Sequence, residues 1–159
     1  MRLRKLDLKD ALLMLEWMHD DSVVHNLRTD FSKKTLADCE NFILAAQDAQ
    51  MSLHLAIVDE NDEYMGTVSL KNIESGSAEF GITVRKCAMG KGFSYYAMTE
   101  ILKYGKQELG LNKVYWCVDP DNHRAVRFYD KHSFIRTSAP DEAESYTDEE
   151  KNKYIWYKA

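Results

Sequence analysis

The six residues Met89-Gly90-Lys91-Gly92-Phe93-Ser94 have the types and spacing to hold phosphate. An alternating apolar run, Ala78-Glu79-Phe80-Gly81-Ile82-Thr83-Val84, precedes them, and an amphipathic stretch from Ser94 to Glu108 follows. Strand, tight glycine turn and helix in that order leave backbone N–H groups unpaired at the positive end of a helix dipole. Gly90 and Gly92 let the backbone come close to a pyrophosphate, so that successive N–H groups from Met89 to Ser94 can share one concavity. Lys91 adds a charge that can stay in solvent. The plain alternative is a strand-to-helix turn that uses glycine only for its geometry.

Other reactive side chains are less well placed. The Cys87 thiol lies just before this turn, where a helix N-terminus can lower a thiol's pKa. No histidine is spaced to activate it, so a covalent role is not expected. His19, His25, His54, His123 and His132 show no metal-ligand spacing, and no metal site is expected. Cys39, Cys87 and Cys117 are odd in number and far apart, which points to free thiols in a reducing, cytoplasmic compartment.

The elements that would position this chemistry follow from pattern. Arg2 to Leu6 reads as a strand. Asp7 can cap a helix through Met18, with Ala11, Leu12, Leu15 and Met18 on its buried side. Thr35 can cap a second helix whose apolar positions are Leu36, Cys39, Phe42, Ile43 and Ala46. The polar connection from Asp20 to Ser32 is ambiguous. Ser52–Asp59, Tyr64–Ile73 and Ala78–Val84 read as an antiparallel meander. The helix after the glycine turn buries Ala97, Met98, Ile101, Leu102 and Gly105 and ends at Gly110. A strand Lys113–Val118 comes next, then a short helix with Ala125, Phe128, Tyr129 and His132 on one face. Ser133–Thr137 and Tyr154–Tyr157 read as last strands; the acidic stretch Asp141 to Glu150 between them could attract a cationic substrate, or else is a solvated loop, the more frequent case. The sum is one α/β domain over residues 1–159: a mixed, mostly antiparallel sheet of about seven strands with helices on both faces.

Composition agrees with that size. The chain has 159 residues, 45% apolar and 30% charged, with a net charge of -5. It has no stretch long and apolar enough to span a membrane. Its basic clusters are short, which argues against nucleic acid and mildly favours neutral or cationic small molecules.

The order of elements, the glycine turn and the segment Asn122-His123-Arg124-Ala125-Val126-Arg127-Phe128-Tyr129 together resemble the GCN5-related N-acetyltransferases over nearly the whole chain. The branch it looks most like contains ribosomal-protein, polyamine and amino-sugar acetyltransferases. That branch shows an Ala-Glu-apolar-Gly strand and a Gly-Lys-Gly-aromatic turn, here Ala78-Glu79-Phe80-Gly81 and Gly90-Lys91-Gly92-Phe93. Three positions depart from the family pattern. Met89 stands where Gln or Arg is usual, Ser94 where Gly or Ala is usual, and Ser133 where Gly commonly precedes Phe.

The resemblance implies acetyl transfer from acetyl-CoA to a primary amine, with both substrates bound and no acyl-enzyme. It implies that Met89, Gly90, Lys91, Gly92, Phe93 and Ser94 bind the pyrophosphate, and that the backbone of Ile82, Thr83 and Val84 pairs with the pantetheine arm. Tyr129 would protonate the departing thiolate, or else it is an aromatic packing beside Phe128. Glu79 points away from Phe80 on the face shared with Gly81 and Thr83. It would assist deprotonation of the amine, or else it is a surface or ion-paired strand residue. Asn122 would contact the pantetheine, cap the short helix, or do both. Trp17, His19, Asp20, Asn26, Arg28 and Phe31 are the expected acceptor contacts.

A small amine such as an amino sugar or polyamine is the favoured acceptor. A protein N-terminus is the alternative, and a non-catalytic acyl-CoA-binding module is a rival class. A dinucleotide-binding reading fits poorly, because the only Gly-x-Gly lies late, after a meander. A monomer or homodimer is expected, with the sheet edge at Tyr154, Trp156 and Tyr157 as a possible contact.

Overall fold

A computed structural model describes all 159 residues. The strands are β1 (Arg2–Lys5), β2 (Leu53–Val58), β3 (Tyr64–Glu74), β4 (Ser77–Val84), β5 (Lys113–Val118), β6 (Ile135–Thr137) and β7 (Ile155–Lys158). They form one seven-stranded sheet in the order β1-β2-β3-β4-β5-β7-β6. Every pairing is antiparallel except β4 with β5. The helices are α1 (Ala11–Met18), α2 (Asp21–Val24), α3 (Leu36–Gln47), α4 (Phe93–Glu108), α5 (His123–Lys131) and α6 (Asp148–Lys153).

Alternation along β3 and β4 divides the sheet into two unlike faces. Val68, Leu70, Ala78, Phe80 and Val84 bury against Ala97, Met98 and Ile101 of α4 and against Tyr129 of α5. On the other face α1 and α3 cover β2 and β3 through Met14, Trp17, Met18, Cys39 and Ile43. Helices therefore lie on both faces, as expected.

Local signals explain the helix boundaries. Asp7 and Asp10 form a reciprocal capping box that starts a short 3₁₀ turn, Leu8–Asp10, ahead of α1. Thr35 and Asp38 do the same for α3. Gly110 follows α4 with φ +65°.

Four expectations need correction. The buried side of α1 carries Met14 and Trp17, while Leu12 is 68% exposed. Only Glu16 is polar among Ala11–Met18, so periodicity could not select the buried face; packing on α3 does. The ambiguous Asp20–Ser32 segment contains α2, capped by Asp20, whose side chain accepts from the Ser22 N–H. The acidic stretch is not a solvated loop. Ala143 and Tyr146 are buried with Tyr115 and Trp156, and Thr147 caps α6. Finally, β7 is not a sheet edge. It lies between β5 and β6 with Trp156 and Tyr157 buried, so that cluster offers no edge contact.

Candidate active site

The parallel pair β4–β5 holds register for only three residues: Ser77 opposite Lys113, Ala78 opposite Val114 and Glu79 opposite Tyr115. Beyond Glu79 the strands part, because β4 continues to Val84 beside β3 while β5 stays paired with β7. The backbone edge of Gly81, Ile82, Thr83 and Val84 that faces β5 thus has no strand partner. Buried backbone donors need partners, so such an edge is ready to accept an extended ligand. The Ile82 side chain packs against the α4-side core, and Thr83 lies on the opposite face.

The splayed strand runs directly into the glycine turn. Arg85 pins the junction. Its guanidinium donates to Glu16 at 2.9 and 3.1 Å, to Glu63 at 2.7 Å and to the Tyr64 carbonyl at 3.0 Å. The Glu16 pairing is the main cause that holds this guanidinium's pKa above the ordinary value.

Gly90 and Gly92 take φ +74° and +87°, a conformation that side-chain-bearing residues rarely adopt. A Cβ at either glycine would meet no neighbour, so it is the backbone angle, not crowding, that requires glycine. The N–H groups of Gly90, Lys91 and Gly92 have no backbone acceptor. Those of the first turn of α4 lack one by helix geometry. Met89 differs from expectation: its N–H donates to the Lys86 carbonyl at 3.2 Å, and its side chain packs between the two cores. The available N–H groups therefore begin at Gly90. Phe93 offers only its backbone, since its ring is buried in the core. Lys91 is exposed and Ser94 half-buried.

Glu79 stands where the splay begins. It is 6% exposed, and its carboxylate accepts hydrogen bonds from Tyr146 Oη at 2.7 Å, Lys71 Nζ at 3.3 Å and Asn72 Nδ2 at 3.2 Å. Tyr146 belongs to the strap that was expected to be a solvated loop. Arg28 lies 4.1 Å above the Tyr146 ring and is anchored to the Ser145 carbonyl and to Glu150. That pairing lowers the Glu150 carboxyl to about 2, chiefly through the Arg28 hydrogen bond. Burial holds the Tyr146 phenol well above the usual tyrosine range and pushes the neighbouring Cys117 thiol up to about 11. Cys117 is thus a protonated, inert thiol.

A cavity of about 360 Å³ opens on the same face. Its floor is Thr67, Ser69 and Lys71 of β3 with Gly81, Ile82 and Thr83 of β4. Its walls include Trp17, Phe31 and Phe42, and His54 stands at the side. Of the acceptor contacts expected from sequence, Trp17 and Phe31 line this cavity. Arg28 instead secures the strap. His19 meets the Lys34 carbonyl, Asp20 caps α2 and Asn26 reaches His25.

Tyr129 lies on the opposite face, 7% exposed, among Trp116, Phe134 and Tyr157. Burial pushes its phenol above the ordinary tyrosine value, which keeps it protonated. Asn122 caps α5, its Oδ1 accepting from the Ala125 N–H at 3.3 Å.

The Acetyltransferase (GNAT) domain family model matches residues 1–135. The chain belongs to the GNAT acetyltransferases. It is 30% identical over 140 residues to the "Uncharacterized N-acetyltransferase p20" of Bacillus licheniformis, covering 83% of this chain and 77% of that one. It is 27% identical over 132 residues to "Acetyltransferase PseH" of Campylobacter jejuni, covering 82% and 80%. Among solved structures, the fold matches a spermidine N-acetyltransferase from Vibrio cholerae, crystallised with CoA and spermine. The TM-score is 0.81 at 19% identity, over 99% of this chain and 94% of that one. It also matches a GNAT-family acetyltransferase from Bacillus anthracis at TM-score 0.77 and 19% identity, over 99% and 92%.

This GNAT chain carries site residues that motif reading missed: Lys71, Asn72 and Tyr146 around Glu79, and His54 and Ser69 in the cavity. One signal was present. Thr67, Ser69 and Lys71 alternate with Val68 and Leu70 on a central strand, so three polar side chains share one covered face. Tyr146 had no comparable signal, since only the tertiary fold brings it to Glu79. Ser133, where the GNAT pattern commonly has glycine, takes φ +60°.

Proposed function

We propose that this N-acetyltransferase moves an acetyl group from acetyl-CoA to the primary amine of a small acceptor, directly and without an acyl-enzyme. The observation that carries the reading is the continuity of three features: the unpaired β4 edge, the glycine turn with free N–H groups, and a cavity sharing Gly81, Ile82 and Thr83 with that edge. A CoA molecule needs an extended partner for its pantetheine amides and N–H donors for its pyrophosphate, and these lie in sequence along one path.

In this reading the backbone of Ile82, Thr83 and Val84 holds the pantetheine arm, and Asn122 adds a polar contact. Gly90, Lys91, Gly92, Phe93 and Ser94 supply N–H groups to the pyrophosphate. An N–H of the splayed edge polarises the thioester carbonyl. Glu79 takes a proton from the bound ammonium, directly or through a water, so that the free amine attacks the carbonyl carbon. The carbon–sulfur bond then breaks, Tyr129 donates its phenolic proton to the thiolate, and the second proton of the former amine leaves the new amide nitrogen through water and restores the Tyr129 phenol. Tyr146, Lys71 and Asn72 fix the Glu79 carboxylate in orientation. All 159 residues serve as one catalytic domain. The three unpaired cysteines support a reducing, cytoplasmic setting.

The test is an acetylation assay on a panel of small amines and a peptide with a free N-terminus, read by CoA release and by product mass. Acetylated small amine with no acetyl-protein intermediate is the expected result. Acetylation of the peptide alone would assign a protein N-terminus as acceptor.

A further inference from the structure

The charges around the cavity discriminate between the two kinds of small amine considered above. Two cationic side chains line it, Lys34 and Lys71, against one carboxylate, Asp38. That carboxylate is committed to the α3 cap, accepting from the Thr35 N–H at 2.8 Å and from Thr35 Oγ1 at 3.0 Å. Glu79, reached through Lys71, already accepts three hydrogen bonds. None of the acidic strap's carboxylates lines the cavity, and two of them, Glu142 and Glu150, are paired with Lys113 and Arg28. Beyond Glu79, which receives the reacting amine, a chain with several ammonium groups would meet only Asp38, already held by the α3 cap, and Lys34, a wall cation outside any ion pair. Buried charges without partners are strongly disfavoured.

The uncharged polar groups point to a different ligand. Ser69 Oγ meets His54 Nδ1 at 2.7 Å, and Thr67 Oγ1 meets the Tyr64 hydroxyl at 2.7 Å. The indole N–H of Trp17 donates to that same tyrosine oxygen at 3.0 Å. Each hydroxyl is therefore oriented by the protein and keeps hydrogen-bonding capacity for a ligand. Burial, with Lys71 as a lesser cause, holds the His54 imidazole below its ordinary pKa, so it stays neutral. Trp17 and Phe31 pack edge to face with ring centroids 5.1 Å apart and give the same cavity an apolar wall.

From this arrangement we infer that the acceptor is a hydroxyl-bearing monoamine of amino-sugar character, not a polyamine, with Ser69, His54 and Lys34 setting the choice. The inference rests on the acetyltransferase reading above and narrows its substrate. One face of the acceptor presents hydroxyls to Ser69 and Thr67, and its apolar face rests on Trp17 and Phe31.

The experiment compares glucosamine and glucosamine 6-phosphate with spermidine and spermine at concentrations below saturation. At least one hexosamine should exceed spermidine in kcat/KM by about tenfold or more, a floor well below the ~10⁴-fold that a site built to bond hydroxyls can reach. Ser69→Ala should raise KM for that hexosamine about tenfold with less than about a twofold change in kcat, a split that partial unfolding would not give. Lys34→Glu should shrink the preference over spermidine about tenfold by reversing a wall charge. Preference of the unaltered protein for spermidine or spermine overturns the inference. So does a protein that binds acetyl-CoA and acetylates neither hexosamine, which leaves the transferase reading standing. Failure to bind acetyl-CoA overturns both.

Discussion

The two faces of β3 and β4 are built from alternate residues of the same strands, yet they do different work. Toward α4 the strands present Val68, Leu70, Ala78 and Phe80, all fully or nearly fully buried in a hydrocarbon and aromatic core. Toward α1 and α3 they present Thr67, Ser69, Lys71, Glu79 and Thr83, of which Thr67, Ser69 and Glu79 are also buried. Burial on the first face stabilises the fold through apolar area. Burial on the second is tolerated only because its polar groups are hydrogen-bonded, as Glu79 and Ser69 are. A strand pattern that keeps buried polar residues on one face marks where a fold has kept room for chemistry.

The contrast predicts that each face fails in its own way. Glu79→Gln should lower kcat by about 10³-fold while the protein stays folded, measured by CoA release beside a thermal melt. Full turnover would remove Glu79 from the mechanism and weaken the distinction between faces. Phe80→Ala, its neighbour on the other face, should cost roughly 3 kcal/mol or more in denaturant unfolding. Its kcat per folded molecule should change far less than for Glu79→Gln.

Tyr129 crosses the division, since its ring belongs to the apolar face while its proposed role is chemical. Tyr129→Phe keeps the ring and should lower kcat by about 10²-fold with little change in melting. A variant as active as the parent would return Tyr129 to packing alone. A smaller effect comes from Ser133, whose φ of +60° suits glycine better than serine. Ser133→Gly should stabilise by up to about 1 kcal/mol, read by denaturant midpoint, with activity unchanged.

The strap provides the smallest and most pH-dependent effect. The Glu150 carboxyl is depressed from 4.5 to about 2 by Arg28. Its contribution is fully present above pH 4.5 and is lost as pH falls toward 2. Arg28→Ala should flatten that part of an acid-unfolding curve, followed by tyrosine fluorescence.

The division was partly legible before any coordinates. Glu79 opposite Phe80, the glycine turn and the strand–helix order follow from period and residue type, because both signals are local. The remaining site residues were hidden for identifiable reasons. Tyr146 is 67 positions from Glu79 and sits in a stretch rich in carboxylates, where composition alone suggests solvent. Ala143 and Tyr146 are three apart and both buried, a spacing too short to stand out. On α1, a nearly all-apolar sequence left the buried face undetermined, so Met14 entered the core only through its packing on α3, whereas Trp17 was already expected at the acceptor site. The role of Met89 was misjudged at the level of one hydrogen bond, because the 3₁₀ turn Lys86–Ala88 takes its N–H.

The central claim is that the splayed β4 edge and the glycine turn form one acetyl-CoA site. Isothermal titration of the protein with acetyl-CoA, repeated on Gly92→Val, tests it most directly. The predicted result is saturable one-to-one binding that weakens at least about tenfold in the variant, since a β-branched residue cannot hold φ +87°. Absence of binding, or equal binding by the variant, would contradict it.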